Sequence, residues 1–193
     1  MKKDKRFFLI TLALVLLVIA PLIESGLIFK DKVIRNKDSA KAREVIAISD
    51  NEYGDFTYIK YNNARFGFSI EYPSFFNDIK ESKNGDGVIL QNINKNVVLI
   101  LTGINNTSNK TAEEFFNEYI SNTNNIVHKK YFGNCFMISS ENKDMIYFIY
   151  EAVGSGSLNS FIIGYPKKDK EVFDGIIKHL KQTFETPYIH ESK

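Results

Sequence analysis

After Tyr53 the chain alternates apolar and polar side chains with period two, and turn-forming residues interrupt the alternation at intervals. "FTYIKY", Phe56 to Tyr61, is the first strand this predicts, and Asn62-Asn63-Ala64 breaks it. In "RFGFSIEY" the side chains of Phe66, Phe68, Ile70 and Tyr72 fall on one face, with Arg65, Gly67, Ser69 and Glu71 on the other. Pro73 has no amide proton to give a ladder and ends that strand. "NGDG", Asn84 to Gly87, tolerates positive φ and predicts a tight turn into "VILQNI", Val88 to Ile93. "NVVLIL", Asn96 to Leu101, is apolar on both faces and reads as a central, fully covered strand.

The period then changes to that of a helix. Ala112, Phe115, Phe116, Tyr119 and Ile120 form one stripe, and Thr111 with Glu114 has the spacing of a capping box. Three further strands are predicted at Tyr131 to Ser139, Met145 to Val153 and Leu158 to Tyr165. Polar turns at Glu141 to Asp144 and Gly154 to Ser157 separate them, which predicts an antiparallel meander. Val172, Phe173, Ile176, Ile177, Leu180 and Phe184 make the apolar stripe of a last helix, closed by Pro187. The expected fold is therefore α+β, an α/β sandwich: a mostly antiparallel sheet of about seven strands with a helix on each face.

What precedes this domain has a different pattern. "MKKDKR" places Lys2, Lys3, Lys5 and Arg6 directly before Phe7 to Ile23, an uncharged apolar run of 17 residues. As a helix it covers about 25 Å, against a hydrocarbon core of about 30 Å, and Leu27 to Phe29 lengthen it. A cleaved signal segment is the rival reading. Pro21, Ile23 and Glu24 give poor cleavage chemistry, and no cysteine follows the run for lipid attachment. We expect residues 1–6 to be a basic N-terminus, 7–23 a transmembrane helix or anchor, 24–52 a linker or stalk, 53–188 the folded domain and 189–193 a tail. Basic residues lie on both sides of the run, yet a folded domain behind one N-terminal anchor is usually exported, so the domain is expected on the extracytoplasmic side of the cell membrane.

Charge adds little to this. The first six residues carry +3, so the net +2 leaves the rest of the chain at −1. Leu27 to Arg43 holds six basic and two acidic residues beside the expected membrane surface. Contact with anionic headgroups or wall polymer and a merely solvated stalk both account for that segment. Nucleic-acid binding has no support, because the basic residues are not gathered with stacking aromatics on a folded face. Cys135 is the single cysteine, so no intrachain disulfide exists.

A search for chemistry predicts no catalytic, cofactor or metal residue. Gly-x-Ser-x-Gly, phosphate loops and dinucleotide glycine patterns are absent, and His128, His179 and His190 have no metal-ligand spacing. Asn84 to Gly87 lacks the flanking oxygen ligands of a calcium loop. Cys135 reads as a packed thiol, and Glu113, Glu114 and Glu118 as a solvated helix face. Among the 10 Tyr and 16 Phe, the candidates for an interaction surface along the sheet rim are Tyr58, Tyr61, Tyr72, Tyr147, Tyr150 and Tyr165, with core packing as the competing account.

The stretch "GFSIEYPSFF", Gly67 to Phe76, and the order of elements together resemble the PsbP/Mog1-like α/β/α sandwich family over Tyr53 to Tyr188. The resemblance implies a closing helix and an accessory or binding role. Members of that family include extrinsic subunits of photosynthetic complexes, a small-GTPase partner and exported bacterial proteins, and no ion or GTPase contact carries over residue by residue. The expectation is a membrane-anchored, extracytoplasmic binding or accessory domain, without catalysis or cofactor, that takes a protein or cell-envelope partner. An enzyme with a carboxylate-lined cleft and a sensor or structural envelope domain remain as alternatives.

Overall fold

The computed structural model describes residues 53–187; the basic N-terminus, the expected transmembrane segment Phe7–Ile23, the expected linker 24–52, Tyr188, His190 and the expected tail 189–193 lie outside them. Alternation and turns produce nine strands there: β1 (Tyr58–Asn63), β2 (Phe68–Pro73), β3 (Phe76–Glu81), β4 (Gly87–Asn92), β5 (Val98–Asn105), β6 (Ile126–Phe132), β7 (Cys135–Asn142), β8 (Met145–Val153) and β9 (Ser157–Pro166). Helix α1 (Ala112–Asn122) stands between β5 and β6, and a 3-10 turn (Lys167–Asp169) leads from β9 into α2 (Lys170–Thr183).

The mostly antiparallel sheet with two helices is as expected, but its membership differs. β1 and β2 form their own two-stranded sheet, and the other seven strands take the order β3-β4-β5-β9-β8-β7-β6. β3, "FNDIKE", was not among the expected strands because it is an edge strand whose side chains are mostly solvated, so alternation is faint. The expected strand Tyr131 to Ser139 is really the end of β6, a two-residue turn and β7, with Gly133 at φ 59. β6 to β9 make the predicted meander, extended by one strand. The centre of the sheet is β9, covered on both faces along nearly its whole length, with β5 beside it.

One face of the large sheet carries the main core. Val88, Leu90, Leu99, Leu101, Phe161, Ile163, Phe148 and Tyr150 pack there beneath β2, the α2 side chains Phe173, Ile176 and Leu180, and Phe184 just past the end of α2. Each such side chain stabilises the fold by roughly 1.5–3 kcal/mol relative to exposure. The other face carries a row of isoleucines across five adjacent strands: Ile89 opposite Ile100, Ile100 opposite Ile162, Ile162 opposite Ile149, and Ile149 opposite Ile138. α1 covers part of that face, its Phe116 and Tyr119 rings meeting Phe136 at 5.8 and 5.4 Å. The predicted capping box holds α1: Glu114 N–H donates to Thr111 Oγ1 at 3.2 Å, and Thr111 N–H to Glu114 Oε2 at 2.8 Å. Among the described residues no helix is long and apolar enough to cross a membrane.

Candidate functional site

The stretch Tyr58 to Pro73 builds the β1–β2 hairpin, and its turn is a clasp. Asn63 Oδ1 accepts from Phe66 N–H at 2.9 Å, while Asn63 Nδ2 donates to Gly85 O at 2.9 Å in the β3–β4 turn. Arg65 donates to Asn84 O and to Asp86 Oδ1, both at 2.6 Å, with its guanidinium 5.1 Å above the Phe66 ring. Phe66 in turn lies on Gly103, where a Cβ would fall 2.3 Å from the ring. Gly67 closes the loop at φ 69, a conformation that costs other residues energy. Asn, Arg and Gly are thus needed here to tie the small sheet to the large one.

Two further contacts hold the opposite side of the hairpin. After α2 the chain pairs for one residue with β2: Ser69 and Glu185 exchange backbone hydrogen bonds at 2.9 Å, and Ser69 Oγ donates to Glu185 Oε2 at 2.9 Å. Between this segment and the hairpin lies an open depression of about 610 Å³, bordered by Lys60, Asn62, Asn63, Gly67, Ser69, Glu185 and Pro187. Its two charged side chains, Lys60 and Glu185, face each other at 3.5 Å. Farther along, His179 Nε2 meets Glu71 Oε2 at 2.9 Å, and Tyr58 stacks on the imidazole at 3.5 Å and 17°. A carboxylate and an imidazole at that distance form two parts of a proton relay. Among the described residues no serine or cysteine hydrogen-bonds to His179 to complete one.

The structure divides the six tyrosines. Tyr72, Tyr150 and Tyr165 are buried on the core face, with Tyr150 stacked on Phe161 at 5.4 Å and Tyr165 on Phe173 at 4.4 Å. Burial pushes the Tyr165 hydroxyl up to about 12 and raises that of Tyr150. Tyr58 and Tyr61 are half-buried on β1, and Tyr147 lies on the other face of the large sheet, its ring over Gly164. The six therefore share no one surface: alternation along a strand cannot say which of two covered faces a ring enters. Cys135 opens β7 as a buried thiol whose pKa burial raises. His128 is on β6, and Glu118 pairs with Lys110. Among the described residues no three His, Cys, Asp or Glu side chains converge as metal ligands.

One titratable residue of consequence escaped the sequence reading. Glu151, seventh of the nine residues of β8, is fully buried under α1; Tyr119 OH donates to its Oε2 at 3.3 Å, and among the described residues Oε1 has no hydrogen-bond partner. Burial, opposed by the Tyr119 hydrogen bond, pushes its carboxyl up to about 8. The signal was there in "MIYFIYEAV", where Glu151 is the only charged residue in a strand otherwise apolar or aromatic.

With this geometry in place, solved structures give a point of comparison. The PsbP homologue CyanoP of Synechocystis sp. PCC 6803 superposes with a TM-score of 0.53 at 10% identity, over 72% of this chain and 97% of its own. The fold is PsbP-like. That likeness, at this identity, concerns the fold alone, and it agrees with the family resemblance carried by Gly67 to Phe76. The Ran-binding protein Mog1p of Saccharomyces cerevisiae is similar at a TM-score of 0.47 and 6% identity, over 68% of this chain and 96% of that one. A Bacteroides thetaiotaomicron protein is similar at 0.45 and 12%, over 66% and 47%. No family model matches the chain, and no curated protein matches it either.

Proposed function

We propose that this chain is a single-pass membrane protein whose PsbP-like domain stands outside the cytoplasm and binds a protein or cell-envelope component without catalysing a reaction. The membrane half of this reading rests on the sequence, on the basic residues Lys2 to Arg6 ahead of the uncharged run Phe7 to Ile23. The binding half is supported above all by what the polar side chains around the hairpin do. Asn63, Arg65, Glu71 and His179 each hold a neighbouring element in place, and the charges bordering the open depression already face each other. Such groups are positioned to keep a shape, which is what a recognition surface requires.

The test uses the full-length chain in the cells that make it. Membranes are separated and washed with alkaline carbonate, and intact cells, with any outer layer permeabilised, are treated with protease. The expected result is a chain that stays with the membrane and loses its domain to external protease. A domain found free in the medium, or one cut only after the cytoplasmic membrane is broken, refutes the proposed placement. Turnover of a substrate by the purified chain refutes the non-catalytic half.

A further inference from the structure

We propose that β6 is a docking edge which adds an extended, acidic segment of a partner protein to the large sheet. Among the described residues β6 is a terminal strand of that sheet and pairs only with β7. The two are joined by two residues, Gly133 and Asn134, so Phe132 and Cys135 form the closing pair. Two-residue hairpins close on a hydrogen-bonded pair, and the bonded pairs alternate from there. Lys130 and His128 therefore turn their backbone groups toward β7. Tyr131 and Lys129 turn theirs outward, as a free antiparallel ladder that another strand can complete.

The charge of this edge selects the occupant. His128, Lys129 and Lys130 are consecutive and exposed, so alternation puts a basic side chain on each face of the strand, and β6 carries no acidic residue. Val127 and Tyr131 flank them at 57% and 42% exposure and offer apolar contact. The other edge of the sheet differs: on β3, Lys80 is 3.5 Å from Asp78 and Glu81 follows, so that strand has no single-sign field. A second copy is a poor occupant of β6, because antiparallel pairing of two such strands sets lysines against lysines, and like charges across a ladder repel. Lysines on an edge discourage pairing with copies of the same edge; an acidic strand is the partner they do not exclude.

The inference rests on the binding reading above, and its test separates the two. A photoreactive benzoylphenylalanine replaces Val127 in the full-length chain, and in parallel chains Ile79 on β3 or Lys60 at the depression. Cells are irradiated and the adducts sequenced by mass spectrometry. Support is an adduct from position 127 on a segment of another protein with Asp or Glu at alternate positions. Its yield should fall about tenfold with Lys129→Pro, which removes one outward N–H and leaves the β6–β7 bonds alone. The double change Lys129→Glu with Lys130→Glu should lower it similarly, so the result does not depend on one variant folding. Adducts only from positions 79 or 60 overturn the edge proposal and leave the binding reading standing. An adduct on a second copy, on a segment without acidic residues, or indifferent to charge reversal also overturns it. No adduct from any position overturns both.

Discussion

Glu151→Gln probes the interface between α1 and the sheet. Among the described residues Glu151 is the one buried Asp, Glu, Lys or Arg, and its only hydrogen bond there comes from Tyr119. Its neighbours across the ladder, Phe136 on β7 and Ser160 on β9, bring no positive charge. The carboxyl, pushed up from 4.5 to about 8, keeps its proton in the folded protein where the unfolded chain has lost it. The native state thus binds more protons between those two values, and stability must fall as pH rises through that window. The contribution is complete below about 4.5 and gone above about 8. At about 1.4 kcal/mol per pH unit the ceiling is roughly 5 kcal/mol. α1 can loosen and admit water at lower cost, so about 2–3 kcal/mol is the expected loss. Glutamine keeps an acceptor for Tyr119 and has no proton to lose. In urea unfolding the variant should lie within about 1 kcal/mol of the parent near pH ~5 and exceed it by about 2–3 kcal/mol near pH ~9. Parallel stability curves for the two proteins across that range would refute the reasoning.

Two other substitutions test the packing. Gly103→Ala puts a methyl into the Phe66 ring and should destabilise by about 1–3 kcal/mol, read as a lower thermal midpoint. An unchanged midpoint would show that the clasp does not bear on that glycine. Thr111→Ala removes the cap of α1 and should cost about 1 kcal/mol. Amide exchange should quicken in Ala112–Asn122, and protection equal to the parent's would count against the cap.

Local chemistry alone was enough to place much of this protein's secondary structure. Met145–Val153 was readable to the residue because apolar side chains and flanking turns agree there, and α1 because Thr111 and Glu114 sit at the spacing a cap requires. The stripe from Val172 to Leu180 was equally plain, although the helix ends at Thr183, before Phe184 and Pro187, because Glu185 pairs with Ser69 of β2. β3 and the β6–β7 turn were not, because an edge strand buries little and "FGNC" interrupts an aromatic run without changing its composition.

Partnership was beyond any local pattern. Which strand sits at the centre, that β1 and β2 leave the large sheet to cover it, and that Tyr72, Tyr150 and Tyr165 turn into the core are outcomes of packing two covered faces at once. The same holds for Glu151, whose ionisation depends on a helix arriving from 32 residues away in the chain. Periodicity tells a side chain which neighbours share its face; only the assembled layers decide what that face meets, and burial, charge state and exposed edge all follow from that meeting.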